Sequence, residues 1–302
     1  LANSKEITMT EHKHSPFAPA AQSVPSAKPV VDTPQTRSSS YRLAFADQDF
    51  LLREELRSER LQLEFLKPEL AQDDAGIDST VVVFGSARIP EPEEAARRLE
   101  EVEHRARSAP QDEPLQRELA VARRVLHNSR YYDEARKLGE LITRETQNSE
   151  RCDLVVITGG GPGMMEAANR GAMDAGGISI GLNIVLPHEQ YPNPYITPEL
   201  CFHFHYFALR KMHFLKRAKA LVACPGGYGT LDELFDALTL LQTKKISPLP
   251  VLLMGREYWQ RIINFDALLE EGAISASDLD LFTYVETAEE AWAIIRASYR
   301  NC

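Results

Sequence analysis

The residues best equipped for chemistry lie in one run, Pro225-Gly226-Gly227-Tyr228-Gly229-Thr230-Leu231-Asp232-Glu233. Glycines let the backbone approach a ligand, and the start of a following helix turns unpaired N–H groups and its positive dipole end toward an anion. Thr230 and Glu233 also have the spacing of a capping box, the structural alternative for both residues. An ordinary cap, however, does not need three glycines in the four residues after a proline. Upstream, Arg210-Lys211 offers two cations on one helical pattern, Phe207–Phe214. A guanidinium there can clamp phosphate bidentately or stabilise other developing negative charge; the plain alternative is a solvated basic pair. Arginine is a poor general acid because it does not readily lose its proton.

A third run, Gly159-Gly160-Gly161-Pro162-Gly163-Met164-Met165-Glu166, invites a dinucleotide reading that its spacing refuses. Counted from Gly159 or Gly161, the last glycine of GxGxxG falls on Met164 or Glu166. No acidic residue ends the next strand to hold a ribose hydroxyl, and no glycine loop runs into Gly-Lys-Ser/Thr. Gly85-Ser86-Ala87-Arg88 closes an earlier apolar run, where Ser86 can bond a base or phosphate or simply shape a turn. In the proline-rich segment Leu186–Tyr195, Glu189, Gln190 and Asn193 could recognise a base or ribose, although polar loop residues are commonly just solvated. His203, His205 and His213 lack the carboxylate–histidine pattern of a metal site and read as core or surface histidines.

Buried strands and amphipathic helices must position these residues. Apolar runs predict strands at Thr80–Ser86, Leu154–Thr158, Ser179–Val185, Cys201–Phe204, Ala220–Cys224, Pro250–Met254 and Thr283–Val285. Helical patterns fall at Tyr131–Thr146, Met164–Ala175, Phe207–Ala218, Leu231–Gln242, Tyr258–Glu270 and Ala288–Ser298. This alternation predicts an α/β fold with a doubly wound, Rossmann-like parallel sheet, each glycine run lying where a strand gives way to a helix. Residues 1–40 are rich in Pro, Ser, Ala and Thr and read as a disordered tail. Residues 41–78 read as an N-terminal helical arm and 79–302 as the Rossmann-like domain. A charged segment at about 91–128, with Pro110 and Pro114 near its middle, reads as an inserted helical hairpin.

Composition narrows the function. A net charge of −10 over 302 residues argues against coating nucleic acid. Four scattered cysteines, Cys152, Cys201, Cys224 and Cys302, show no CxxC pairing and suit a reducing compartment. No apolar stretch reaches membrane-spanning length, and no signal-peptide h-region stands at the N-terminus. The expectation is a soluble, cytoplasmic protein without nucleic-acid or membrane partners.

The motif PGGxGTxxE resembles the signature of the LOG ("lonely guy") family of nucleoside 5′-monophosphate phosphoribohydrolases, formerly labelled lysine decarboxylases. The Arg210-Lys211 pair, followed by Met212 shortly before the Pro225 turn, is similar to a second family motif. The resemblance covers roughly Thr80 to Met254, and the proline-rich loop is similar to that of longer, bacterial-type members. It implies hydrolysis of the N-glycosidic bond of AMP or of N6-substituted cytokinin nucleotides, releasing the base and ribose 5-phosphate, an AMP nucleosidase-like reaction. It implies catalytic roles for Arg210 and Glu233, the latter stabilising an oxocarbenium-like transition state. Substrate-binding positions implied with them are Ser86, Gly160, Gly161, Met165, Glu189, Asn193, Lys211, Pro225, Gly226, Gly227, Tyr228, Gly229, Thr230 and Thr239. No cofactor or metal is expected, and no lysine stands out as an anchor for pyridoxal phosphate. The implied partners are the nucleotide and further copies of the chain, as a homodimer or higher homo-oligomer. The alternative is a nucleotide-binding carrier or sensor that uses the same cradle without turnover.

Overall fold

The computed structural model describes Ala20 and residues 31–147, 153–187 and 191–300. Contacts divide the chain into two units, residues 1–63 and 64–302. Of the expected tail, residues 31–40 include a helical turn at Pro34–Arg37, capped by Thr33. From Ser38 to Leu56 the first unit is a series of short helical turns before helix α1 (Arg57–Asp74), whose residues from Glu64 onward belong to the second unit.

The second unit is built on seven strands: β1 (Thr80–Phe84), β2 (Val155–Thr158), β3 (Ser179–Ile184), β4 (Cys201–Phe204), β5 (Ala218–Ala223), β6 (Val251–Met254) and β7 (Thr283–Val285). They pair in parallel, in the order β4-β3-β2-β1-β5-β6-β7. Parallel strands need crossovers, and the crossover helices cover both faces, so the strands are apolar on both sides. Val81, Val83, Val156 and Val222 pack on one face with residues of the helices following β1, β2 and β7. Val82, Phe84, Ile157 and Leu221 pack on the other with Phe214, Leu234, Leu238 and Trp259.

The helices are α2 (Pro92–Ser108), α3 (Glu113–Thr146), α4 (Met164–Asp174), α5 (Phe207–Lys216), α6 (Tyr228–Gln242), α7 (Arg256–Ile262), α8 (Phe265–Glu270) and α9 (Ala288–Arg300). Several boundaries differ from expectation: the strand expected over Thr80–Ser86 ends at Phe84, and the helix expected over Phe207–Ala218 ends at Lys216, with Ala218 opening β5 two residues before the expected Ala220. The hairpin expected to close near residue 128 instead runs into the helix expected from Tyr131, giving one 34-residue α3. No Gly or Pro interrupts 128–131, and Ser129 turns its hydroxyl back onto the Leu126 carbonyl at 2.7 Å. The pattern Tyr258–Glu270 is two helices, because Asn264 accepts a bond from Ala267 N–H at 3.1 Å and starts a new one. Finally, α6 begins at Tyr228 with Gly227 at its N-cap, not at Thr230.

The chain leaves β4 on one side of the sheet and returns in β5 beside β1, so the winding reverses between β1 and β5. Their exits are tied together: Cys224 N–H donates to Phe84 O at 2.8 Å and Ser86 N–H to Pro225 O at 2.9 Å. Ligands of such sheets bind where this reversal opens a crevice at the carboxyl ends of the strands. No described helix is long and apolar enough to cross a membrane.

Candidate active site

Three glycine-bearing turns converge on that crevice, following β1, β2 and β5. Gly163, with φ of +70°, starts α4 so close to β1 that a Cβ would strike the Ser86 carbonyl; Met164 N–H donates to the same carbonyl at 3.1 Å. The Pro225 turn is locked similarly, because Thr230 Oγ1 fills the space a Cβ would need on Gly226. Gly227, Tyr228 and Gly229 are exposed, and a Cβ at either glycine would meet nothing within 4 Å. The turn is therefore fixed on its protein side and open on the other.

Arg210, one turn into α5, reaches across the crevice floor. Its Nε donates to Leu182 O at 2.8 Å, and its guanidinium lies 4.9 Å from the Phe214 ring centroid. Nη2 approaches Gly159 so closely that a Cβ there would lie 2.7 Å from it and 2.8 Å from Met165 Sδ. Nη1 stands 3.7 Å from Glu233 Oε1, with side-chain exposures of 13% and 7%. These low exposures set the electrostatics. Burial pushes the Glu233 carboxyl up to about 7, with Asp232 and Asp236 adding to the rise and Lys211 and Arg210 opposing it. Burial also lowers the Arg210 guanidinium, against the pull of Glu233 and Asp232. Lys211 bonds Asp232 at 2.8 Å; burial lowers its ammonium, but Asp232 and neighbouring carboxylates outweigh this and the net shift is upward.

The capping-box alternative fails here. Thr230 and Glu233 lie inside α6, and no side chain caps its N-terminus. The buried Glu233 carboxylate therefore faces Arg210 and does not serve its own helix.

Other expected site residues take varied places. Gly160, Gly161 and Met165 line the same turn as Gly159. Asn193 reaches the site as a strut: its N–H donates to Gly160 O at 2.9 Å, and its Nδ2 to Gly161 O and Asn169 Oδ1 at 3.1 and 3.0 Å. Its Oδ1 accepts from Tyr195 N–H at 3.2 Å, so the side chain is occupied by protein rather than presented to a ligand. Ser86 Oγ accepts from Arg88 N–H at 3.0 Å and shapes its own turn. Thr239 is not brought to the cradle. It lies about 14 Å along α6 from Thr230 by helical rise, and its hydroxyl donates to Phe235 O at 2.7 Å. Glu189 and Gln190 lie outside the described residues. His203 and His205 are exposed, whereas His213 is buried between the Phe65 and Phe204 rings. Among the described residues no cluster of His, Cys, Asp or Glu could hold a metal.

Sequence reading missed the buried amide hub behind the glycines. Asn169 accepts from Thr158 Oγ1 at 2.7 Å and donates to Ser179 Oγ at 2.9 Å, while Thr158 Oγ1 also accepts from Gly160 N–H at 3.0 Å. The available signal was an asparagine amid the small residues of Ala167-Ala168-Asn169, where a buried amide needs partners. Tyr258 was missed too; its hydroxyl donates to Gly226 O at 2.6 Å.

A family model described as "Possible lysine decarboxylase" matches residues 165–295. Cytokinin riboside 5′-monophosphate phosphoribohydrolase LOG3 of Arabidopsis thaliana is 32% identical over 168 residues, 54% of this chain and 73% of its own. LOG4 of the same plant matches at 32% identity over the same shares. The chain belongs to the LOG family. The molybdenum cofactor carrier protein of Chlamydomonas reinhardtii, a solved structure, matches 74% of this chain and 99% of its own at 19% identity, with a TM-score of 0.43. In this LOG-family chain the two sequence motifs meet in space: the Arg-Lys helix and the PGGxGTxxE helix join at the 3.7 Å approach of Arg210 to Glu233.

Proposed function

We propose that this LOG-family protein hydrolyses the N-glycosidic bond of a purine nucleoside 5′-monophosphate, AMP or an N6-substituted cytokinin nucleotide, to free base and ribose 5-phosphate. The observation that carries the reading is the buried Arg210–Glu233 pair beside an open glycine turn at the sheet's winding reversal. The 5′-phosphate takes the exposed N–H groups of Gly227, Tyr228 and Gly229, with Lys211 adding positive potential. A helix terminus alone contributes only about 0.3–2 kcal/mol toward an anion, so the full cluster is required.

As the C1′–N9 bond breaks, its electron pair leaves with the purine and positive charge develops on C1′ and O4′. The Glu233 carboxylate faces that charge. At about 4 Å and an effective dielectric near 20 the attraction is about 4 kcal/mol. Water then adds to C1′ and loses a proton, and the departing base gains one from solvent. Arg210 keeps its own proton and stabilises negative charge on the base or phosphate.

The phosphate should therefore matter as much as the base. Comparison of kcat/KM for adenosine, AMP and ATP tests this: AMP is expected to exceed adenosine greatly, and ATP to suffer from crowding. Similar values for adenosine and AMP would refute the cradle assignment.

Assembly as a homodimer or higher homo-oligomer belongs to the same proposal. A groove of about 870 Å³ lies between α5 and α6, floored by Leu215, Leu240, Ile246 and Leu249, and Met212 on its rim is 53% exposed. Pairing over this face should bury more than about 1,000 Å². Light scattering at assay concentration is expected to give a mass of at least two chains; an active monomer would reject this.

A further inference from the structure

We infer that Tyr258 is a positioning residue for the phosphate cradle: by holding the Gly226 carbonyl, it aims the Gly227 N–H at the 5′-phosphate. The inference rests on the nucleotide reading above. Tyr258 lies on α7, thirty-two positions beyond the turn it touches, and donates to Gly226 O at 2.6 Å. The peptide joining Gly226 to Gly227 is trans, so its C=O and N–H point in opposite directions. Fixing the carbonyl toward Tyr258 thus turns the Gly227 N–H the other way, away from the phenol, at an exposed residue with open space around its α-carbon.

The turn needs such a hold. Two successive glycines have no Cβ to limit rotation of the peptide between them. Thr230 packs against the Gly226 α-carbon and fixes its position, but does not set the direction of the following peptide plane. Tyr258 itself is well anchored. Its ring stands edge-on to Trp259 at 5.3 Å and 88°. Trp259 is fully buried, and its Nε1 donates to both Ala223 O at 3.2 Å and Met254 O at 3.0 Å. The phenol is thereby referenced to the ends of β5, which borders the crevice, and of its neighbour β6.

A bond that merely satisfied a buried carbonyl would affect stability and every substrate alike. A bond that aims an N–H at phosphate would affect phosphate recognition selectively. Tyr258→Phe separates the two, because it keeps the ring and its packing and removes only the donor. The measurements are kcat/KM for AMP and adenosine, and titration calorimetry with ribose 5-phosphate, on the full chain in both forms. The preference for AMP over adenosine should narrow about tenfold in Y258F, through KM rather than kcat, and ribose 5-phosphate should bind about tenfold more weakly, the scale of one hydrogen bond to a charged group. Equal losses for AMP and adenosine, or unchanged ribose 5-phosphate affinity, would overturn the inference. If the wild-type protein fails to cleave AMP, the hydrolase reading falls by itself and the titration still decides. Weaker binding by Y258F supports the positioning role; equal binding, or none by either protein, contradicts it.

Discussion

Arg210 Nη1 approaches Glu233 Oε1 to 3.7 Å, too long for a hydrogen bond, although both side chains are largely withdrawn from water. A pair built for stability would close that gap, since a buried ion pair offsets its desolvation only with good geometry. Here the arginine spends its best bond on the Leu182 carbonyl, at 2.8 Å, and leaves the carboxylate loosely met. Glu233 is thus buried with its charge incompletely neutralised, as a group must be if it is to meet a cation that forms only in the transition state.

Arg210→Met should cost about two orders of magnitude in kcat/KM, the scale for losing one electrostatic stabiliser. It should also move the acid limb of the pH profile upward, because Arg210 is one of the two cations that lower the Glu233 carboxyl. Arg210→Lys keeps the charge and should shift the limb less. A profile unmoved in R210M would show that Arg210 does not act on Glu233.

The raised Glu233 carboxyl has opposite consequences for activity and stability. Only the ionised form can face an oxocarbenium, so kcat/KM should climb with pH to a plateau above about 7. The folded state holds this proton more tightly than the unfolded state does. Stability should therefore fall as pH rises from about 4.5, the ordinary carboxyl value, to about 7, and level off beyond. The shift corresponds to about 3 kcal/mol at most. Glu233→Gln should remove that slope, so that its stability relative to wild type improves between pH 5 and pH 8. Denaturant titrations at the two pH values measure it, and parallel curves would contradict the assignment.

Asn169→Leu should strand Thr158, Ser179 and Asn193 without their shared partner. The expected cost is about 2–3 kcal/mol, as for buried polar groups left unmet, visible as a lower Tm. Because the hub supports the Gly160–Gly161 turn, KM for AMP should rise as well. An unchanged KM would make Asn169 a stabilising residue only.

Much of this was legible from sequence because strand periodicity and glycine punctuation act locally. The strand at Thr283–Val285 and the small one at Cys201–Phe204 fall where the apolar runs put them, and the PGG turn opens a helix after a buried strand. What failed depended on distance or on degeneracy. The Thr230–Glu233 spacing fits a capping box, yet α6 starts three residues earlier, and only the position of Gly227 reveals that. Asn193 looks like a ligand contact in a polar loop until Gly161 and Asn169 occupy it. Tyr258 carries no local mark at all, since its partner lies far upstream in the chain.

The most direct test follows the products formed from AMP by the wild-type protein and by Glu233→Gln, with AMP affinity measured for both. The wild type should release adenine and ribose 5-phosphate in equal amounts. E233Q should bind AMP comparably and turn it over about a hundredfold more slowly, the equivalent of about 3 kcal/mol of lost transition-state stabilisation. Intact AMP that binds but is never cleaved by the wild type, or near-normal turnover in E233Q, would contradict the account.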